Sequence, residues 1–441
     1  MPDSVAGRRY AQRHIEAGLP RLSSAKGQWR QVLVIPAYRE SPELLQRLSA
    51  LAAVTSHCLF ILVLNRPDSD PDEQANSMLR DATRALHPSS VDAISGIYLL
   101  PPSSCVFLYD TERELGPLPA KQGVGLARKI GCDIAWQWQS EGAIASNWIC
   151  SSDADALLPH DYFQRLDDCP EDTVAATYPF CHVAGPDPQC NEATALYELR
   201  LHHYVLGLKY AGSPYAHHSL GSCLAVRAQA YAQVRGFPKR AAGEDFYLLN
   251  KFAKLGPITH LAGECIQLQS RMSQRVPFGT GPAVMQIAAA GALEDAALFY
   301  HPGCFVALRA VLAIVRQLHQ AHDADCTSLL REQEIPDALA QLCNKTLCEM
   351  GWLQALQHCR RQGKTREQYL RQFHQWFDAF RTLKFIHALR ETALPQQSLQ
   401  GLAALQPQLW PGASGSECDV QALLSSIRNE RHWTTRNQAR C

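Results

Sequence analysis

The sequence contains no Cys-x-x-Cys pair. Its sixteen cysteines are scattered over 441 residues, so the closely spaced ligand pairs of a structural zinc site are missing. The opening residues, MPDSVAGRRYAQRHIEAG, hold no apolar run of the kind found in a secretory leader. A disulfide framework is therefore not expected, and the cysteines read as reduced, mostly buried thiols of a cytoplasmic protein. No apolar stretch has the length of a membrane span. The most apolar window, 303–315, is short and carries Arg309 in its middle. No transmembrane segment is expected, although helices rich in Arg, Leu and Trp leave peripheral membrane contact open. Neither sign of charge is in excess, with 42 Lys and Arg against 42 Asp and Glu. No global field then draws in nucleic acid, which is not an expected partner. No repeat of fixed period is present.

What is present is globular in character. Hydrophobic residues make up 46% and charged residues 19%, which excludes a disordered chain, and the length suggests two domains. Short apolar runs at 31–36, 59–64, 106–109 and 148–150 read as buried parallel strands, because a half-exposed strand would alternate. Segments at 42–54, 71–86 and 124–139 read as the intervening helices, the first opening on Pro42 with Leu44, Leu45, Leu48 and Leu51 on one face. Alternating strands and helices imply an α/β fold with a mainly parallel sheet, whose ligands bind at the carboxyl ends of the strands. The loops 65–70 and 151–155 lie at such ends. Beyond about 285 strand-like runs nearly vanish, and amphipathic segments at 304–319, 335–351, 366–389 and 420–429 take over. The expected division is an α/β domain over 1–285 and an α-helical region over 286–441, with 392–415 as a loop.

The fourth strand runs directly into Ser151-Ser152-Asp153-Ala154-Asp155. Two carboxylates one residue apart chelate a hard divalent cation when the backbone turns, and oxygen ligands suit Mg²⁺ or Mn²⁺. Such a cation offsets charge on a departing diphosphate. The competing reading is structural, with Ser152 or Asp155 capping the next turn.

Four features follow one another in a fixed order. They are Val34-Ile35-Pro36-Ala37-Tyr38-Arg39-Glu40; Lys121-Gln122-Gly123-Val124-Gly125-Leu126-Ala127-Arg128; the strand with the aspartate pair; and Leu220-Gly221-Ser222-Cys223, followed by Gly236-Phe237-Pro238 and Gly243-Glu244-Asp245-Phe246. Over about residues 30 to 270 this order resembles the inverting glycosyltransferases of family 2. The resemblance implies a GT-A fold, a Rossmann-like nucleotide-diphospho-sugar transferase fold, with a helical C-terminal extension, and a metal-dependent transfer of a sugar from a nucleotide-sugar to an acceptor hydroxyl. It places Pro36, Ala37, Tyr38 and Glu40 against the base and ribose. It gives the base contact to Asn65 or Asp68, and sets Lys121, Gly125 and Arg128 beside the nucleotide. Asp155 becomes the direct metal ligand, with Asp153 contributing to the metal and to the ribose or sugar. Asp245 becomes the catalytic base, with Glu244 beside it. An inverting transfer needs such a base on the face opposite the leaving diphosphate. The plainer reading of Glu244-Asp245 is an acidic first helical turn against the helix dipole.

The stretch 270–281 is dense in Arg, Gly and hydroxyls, and Arg271 or Arg275 is expected on the donor phosphates or an anionic acceptor. A third metal ligand is sought among His202, His203, His217, His218, His260 and His301, each of which also reads as structural. Tyr197, His203, Tyr204, Tyr210 and Tyr215 read either as helix packing or as an acceptor cleft. The acceptor is a small molecule, a lipid-linked sugar or a protein. Two other readings stand beside the transferase. One is a nucleotidyltransferase, against which the glycine-free loop after the first strand counts. The other is a nucleotide-sugar-binding scaffold without transfer, against which the intact Asp153, Asp155 and Asp245 count.

Overall fold

Every residue from Val32 to Ala37 of strand β1 (Gln31–Ala37), and every residue of β2 (Cys58–Leu64), is buried. This is the signature of strands covered on both faces. The structure, a computed structural model, describes residues 4–22, 27–89, 96–272, 279–290, 296–319, 325–405 and 419–429. The remaining strands are β3 (Ile97–Leu100), β4 (Ser104–Asp110), β5 (Trp148–Ser151), β6 (Ala175–Thr177), β7 (Phe180–Val183), β8 (Leu224–Arg227), β9 (Ile258–His260) and β10 (Ile266–Gln269). Eight of them form one mixed sheet in the order β3-β4-β2-β1-β5-β8-β6-β9, and β10 pairs with β7 separately. The central run β4-β2-β1-β5 is parallel, with β1 in register against β2 from Gln31 opposite Cys58 to Ala37 opposite Leu64. Strand β8 is antiparallel to both β5 and β6, and β3 is an antiparallel edge. The four expected strands are thus the parallel centre of an α/β fold. The strands not foreseen run only three or four residues, too short to carry a periodic signal.

The chain forms two compact units. The first takes Met1–Asp187 and Ser219–Ala283, the second Pro188–His218 and Val284–Cys441. A change of character near 285 is visible in both sequence and structure. The helix Pro188–Tyr210, however, groups with the later helices, which no compositional shift announces.

In the first unit the helix Gly123–Ser140 lies on the sheet, buried from Gly125 to Gln139. Within it Asp133 is fully buried and gathers four donors. Its Oδ1 accepts the Tyr10 hydroxyl and, at 2.8 Å, the Tyr231 hydroxyl; its Oδ2 accepts Lys129 Nζ and the Glu16 amide, both at 2.8 Å. The helix Val5–Arg13 is thereby tied to the core. Burial pushes the Asp133 carboxyl up, and the Lys129 ammonium pulls it back. Replacing one member of such a network strands the others without water. Asp133→Ala should cost about 3–5 kcal/mol in denaturant unfolding, with the loss carried by Lys129 and the two tyrosines.

In the second unit the expected helix over 366–389 is two, Arg366–Trp376 and Ala379–Thr392. Asp378 causes the break: its carboxylate accepts the Arg381 amide at 3.1 Å as an N-cap, and the chain restarts there. The fully buried Glu198 receives Arg428 Nη2 at 2.6 Å, which pins Val420–Asn429 to Pro188–Tyr210. The stretch 392–415 contains the helix Leu399–Leu405, and its residues 406–415 lie outside the described ones. Among the described residues no strand follows Gln269, and no helix is long and apolar enough to cross a membrane.

Candidate functional site

At the carboxyl ends of β1, β2 and β5 the apolar runs give way to Tyr38-Arg39-Glu40, Asn65-Arg66 and Ser152 to Asp155. Pro36 and Ala37 are buried in β1, whereas Tyr38 is half-buried and its hydroxyl donates to Asp70 at 2.6 Å. Arg39 adopts a left-handed φ of 56°, held by a bond from its amide to Asn76 Oδ1 at 2.9 Å. Strain of this kind at a non-glycine residue is characteristic of functional turns. Arg39 also pairs with Asp70 at 2.8 Å.

Of the two candidates for a base contact, Asn65 is turned inward. It is buried, and its Nδ2 donates to the carbonyls of Ala37 and Val63 at 3.1 and 3.3 Å. Asp68 is exposed, with Oδ1 accepting the Ala120 amide at 2.9 Å. Asp70 was not anticipated, and it is the carboxylate that meets Tyr38 and Arg39. Nothing local to Asp70 distinguishes it from Asp68 or Asp72. The loop itself is fixed from below: Arg66 pairs with Glu112 at 2.5 Å, and Arg80 reaches Asp110 at 2.7 Å and Glu112 at 2.6 Å.

Arg128 joins the separate motifs. Only 2% of it is exposed. Nη2 donates to Asp153 Oδ1 at 2.7 Å, Nε to Glu244 Oε1 at 3.2 Å, and Nη1 to Ser151 Oγ at 2.7 Å and the Gly221 carbonyl at 3.1 Å. A planar guanidinium fork suits this multidirectional role better than an ammonium. All three nitrogens are thus committed within the protein, so Arg128 organises the carboxylates from beneath. Gly125, one turn earlier, is explained by close packing: a Cβ there would come within 2.5 Å of the Arg240 carbonyl oxygen. Lys121 is exposed at the same helix end.

Glu244 and Asp245 open the helix Glu244–Phe252 behind Gly243, whose φ of 69° is the left-handed turn that glycine tolerates. Asp245 Oδ1 accepts the Phe246 amide at 2.7 Å. Burial, then the neighbouring Glu244 carboxylate, raises the Asp245 carboxyl to about 7, against the pull of that amide and of Arg128. Burial also raises Glu244, which Arg128 opposes. A carboxylate that exchanges its proton near neutral pH is suited to general base work.

Asp155 is the meeting point of a second cluster. Its Oδ2 lies 2.7 Å from Arg271 Nη2, and Arg271 lies 3.7 Å from Glu40. Burial raises the Asp155 carboxyl, Arg271 lowers it, and the like charges of Asp153 and Glu40 raise it again. Arg271→Ala should therefore move the Asp155 titration upward, as read by carbon NMR of the side-chain carboxyl. Arg275 lies outside the described residues. Ser152 does not cap the next turn, since its hydroxyl has no hydrogen-bond partner among the described residues. Arg47 was also not foreseen; its Nη2 holds the Ala154 carbonyl at 2.6 Å. A lone cation beside the Leu44, Leu48 and Leu51 face was its sequence signal.

His301 Nδ1 accepts the Gly303 amide at 2.9 Å, His260 bonds Thr177 at 2.8 Å, and the His202 ring stands edge-on to His218. Among the described residues no group of three or more His, Cys, Asp or Glu side chains is arranged to hold a metal. In the second unit, His203 is buried edge-on against Phe299 and Phe305, and burial pushes its imidazole down to about 4. Tyr204 packs against Tyr300 and Phe305, and the Tyr215 hydroxyl donates to the His374 carbonyl. These rings serve helix packing.

No family model matches the chain, and no curated protein matches it. Among solved structures it is similar to a mycobacterial protein of known crystal structure, at 13% identity over 66% of this chain and 78% of the other. The TM-score of that pair is 0.31, a likeness that carries no argument for fold or activity.

Proposed function

We propose that this chain is a glycosyltransferase of the GT-A type that moves a sugar from a nucleotide-sugar to an acceptor hydroxyl with inversion. The observation that carries the reading is the shared guanidinium: Arg128 bonds both Asp153 and Glu244, which stand 25 and 116 residues away. The two motifs that the resemblance assigns to donor and to catalysis thus meet on one side chain. The sheet supports the fold assignment, with a parallel β4-β2-β1-β5 core flanked by an antiparallel β8.

Mg²⁺ or Mn²⁺ is the implied cofactor. The donor set fits such an ion, because Asp155 already neutralises a cation, the Arg271 guanidinium, at 2.7 Å, and Asp153 is 41% exposed beside it. Asp155 and Asp153 would hold the ion. The ion would supply charge compensation to the diphosphate. The chain's own groups do the rest. Tyr38 and Glu40 line the donor side of β1, and Arg271, released from Asp155, is long enough to serve the phosphates. Asp245 takes the proton of the acceptor hydroxyl. The acceptor oxygen then bonds the anomeric carbon, and the carbon–oxygen bond to the diphosphate breaks with its electron pair. Calorimetric titration of UDP and GDP, with and without Mn²⁺, together with an assay for hydrolysis of UDP- and GDP-sugars, tests the reading. Metal-dependent binding together with slow donor hydrolysis is expected. Metal-independent binding without turnover would instead mark a nucleotide-sugar-binding scaffold.

A further inference from the structure

The Asp155 carboxylate already has a cation, and the backbone brings it there. The chain of β10 exchanges two hydrogen bonds with the aspartate turn. The Leu157 amide donates to the Gln267 carbonyl at 2.9 Å, and the Gln267 amide donates to the Leu157 carbonyl at 3.0 Å. The Ser270 amide is held in turn by the Val183 carbonyl at 3.1 Å. Arg271 follows directly, so anchored backbone delivers its guanidinium to the turn. Nη2 lies 2.7 Å from Asp155 Oδ2 and 3.7 Å from Glu40 Oε1. One nitrogen thus spans the acid that follows β5 and the acid that follows β1. The pair is open to water, with 38% of the Arg271 side chain and 20% of the Asp155 side chain exposed. An ion pair of this exposure is weak enough to be exchanged.

We propose that Arg271 competes with the divalent cation for Asp155, so that the ion enters the site together with a diphosphate and not ahead of it. This rests on the proposed function, which makes Asp155 a metal ligand. An ion bonded to Asp155 would stand beside the guanidinium, and two cations at such a distance repel. Seating the ion therefore requires Arg271 to leave, and leaving costs it its closest carboxylate. A diphosphate removes that cost, because a guanidinium fork pairs with phosphate oxygens as well as with a carboxylate. Ion and diphosphate then each tighten the binding of the other, by the reciprocity that any such coupling obeys. The competition fixes the sign of one effect. A residue that merely supported the donor site would weaken the ion when removed, whereas removing a competitor strengthens it.

The probe is Mn²⁺ alone, titrated into the full chain at pH 8, with the free ion read by electron paramagnetic resonance. Arg271→Ala and Arg271→Gln should each bind Mn²⁺ at least about fivefold tighter than the wild type. Arg271→Lys keeps the cation and should stay within about twofold of the wild type. Calorimetry with UDP and GDP supplies the second readout. The factor by which Mn²⁺ strengthens the nucleotide should fall at least about fivefold in Arg271→Ala. Equal or weaker Mn²⁺ binding by the folded Arg271→Ala and Arg271→Gln variants overturns the proposal, and so does a failure of every variant to bind Mn²⁺. Tighter Mn²⁺ in Arg271→Ala without binding of either nucleotide would uphold the competition and end the transferase reading. Mn²⁺-dependent nucleotide binding with unchanged Mn²⁺ affinity in Arg271→Ala would overturn the competition and leave that reading standing.

Discussion

Asp245→Asn should bind the nucleotide-sugar donor as the wild type does and lose about 10³-fold or more in transfer rate, roughly 4 kcal/mol of barrier. The amide keeps the shape of the side chain and can still accept the Phe246 amide bond, but it cannot take the acceptor proton. The wild type should lose activity as pH falls through about 7, where Asp245 becomes protonated, and the variant's residual rate should lack that limb. The same residue predicts a stability effect of opposite sense. A carboxyl whose folded value is raised above its ordinary one stabilises fully at low pH, and that contribution disappears as pH rises through the folded value. Above neutrality the wild type holds two adjacent carboxylates, Glu244 buried and Asp245 half-buried, with one nearby guanidinium. Asp245→Asn should therefore melt higher than the wild type at pH 8, by on the order of 2 kcal/mol, and should show little gain at pH 4. Thermal melts at the two pH values check this without a substrate. A melting difference that is equal at both would exclude the raised carboxyl as its cause.

Asp155→Asn should weaken metal-dependent donor binding by at least about 100-fold, roughly 3 kcal/mol. The reason is the composition of its surroundings. Asp155 is the carboxylate that Glu40 and Asp153 crowd and that Arg271 neutralises. Removing its charge leaves Arg271 without its closest anion and leaves a cation with Asp153 alone. Calorimetry of a nucleoside diphosphate with Mn²⁺, compared between wild type and variant, reads the effect. Equal affinities would remove Asp155 from the donor site, while the Asp245 result would stand on its own.

The parallel centre of the sheet was legible in the sequence because its strands are covered on both faces. Such strands must be continuously apolar, and they stop where polar loops such as 65–70 and 151–155 begin. The helical character beyond 285 was legible for the same kind of reason, a repeat of apolar positions that any helix facing a core requires. The order of Tyr38, Arg128, Asp153 and Asp245 along the chain marked them as candidates. Which group each one meets was decided only by tertiary structure. Arg128 is satisfied by partners 23 to 116 residues away, and Asp155 by Arg271. Asn65 faces the backbone of β1 and β2, so the carboxylate beside Tyr38 is Asp70. The helix Pro188–Tyr210 has almost no one-sided apolar stripe, because it is buried around most of its circumference, and its grouping with the later helices is therefore invisible locally. Periodicity is a property of a segment and survives in the sequence; the choice of partner for a buried charge depends on which segments pack together, and that is settled only when the chain folds.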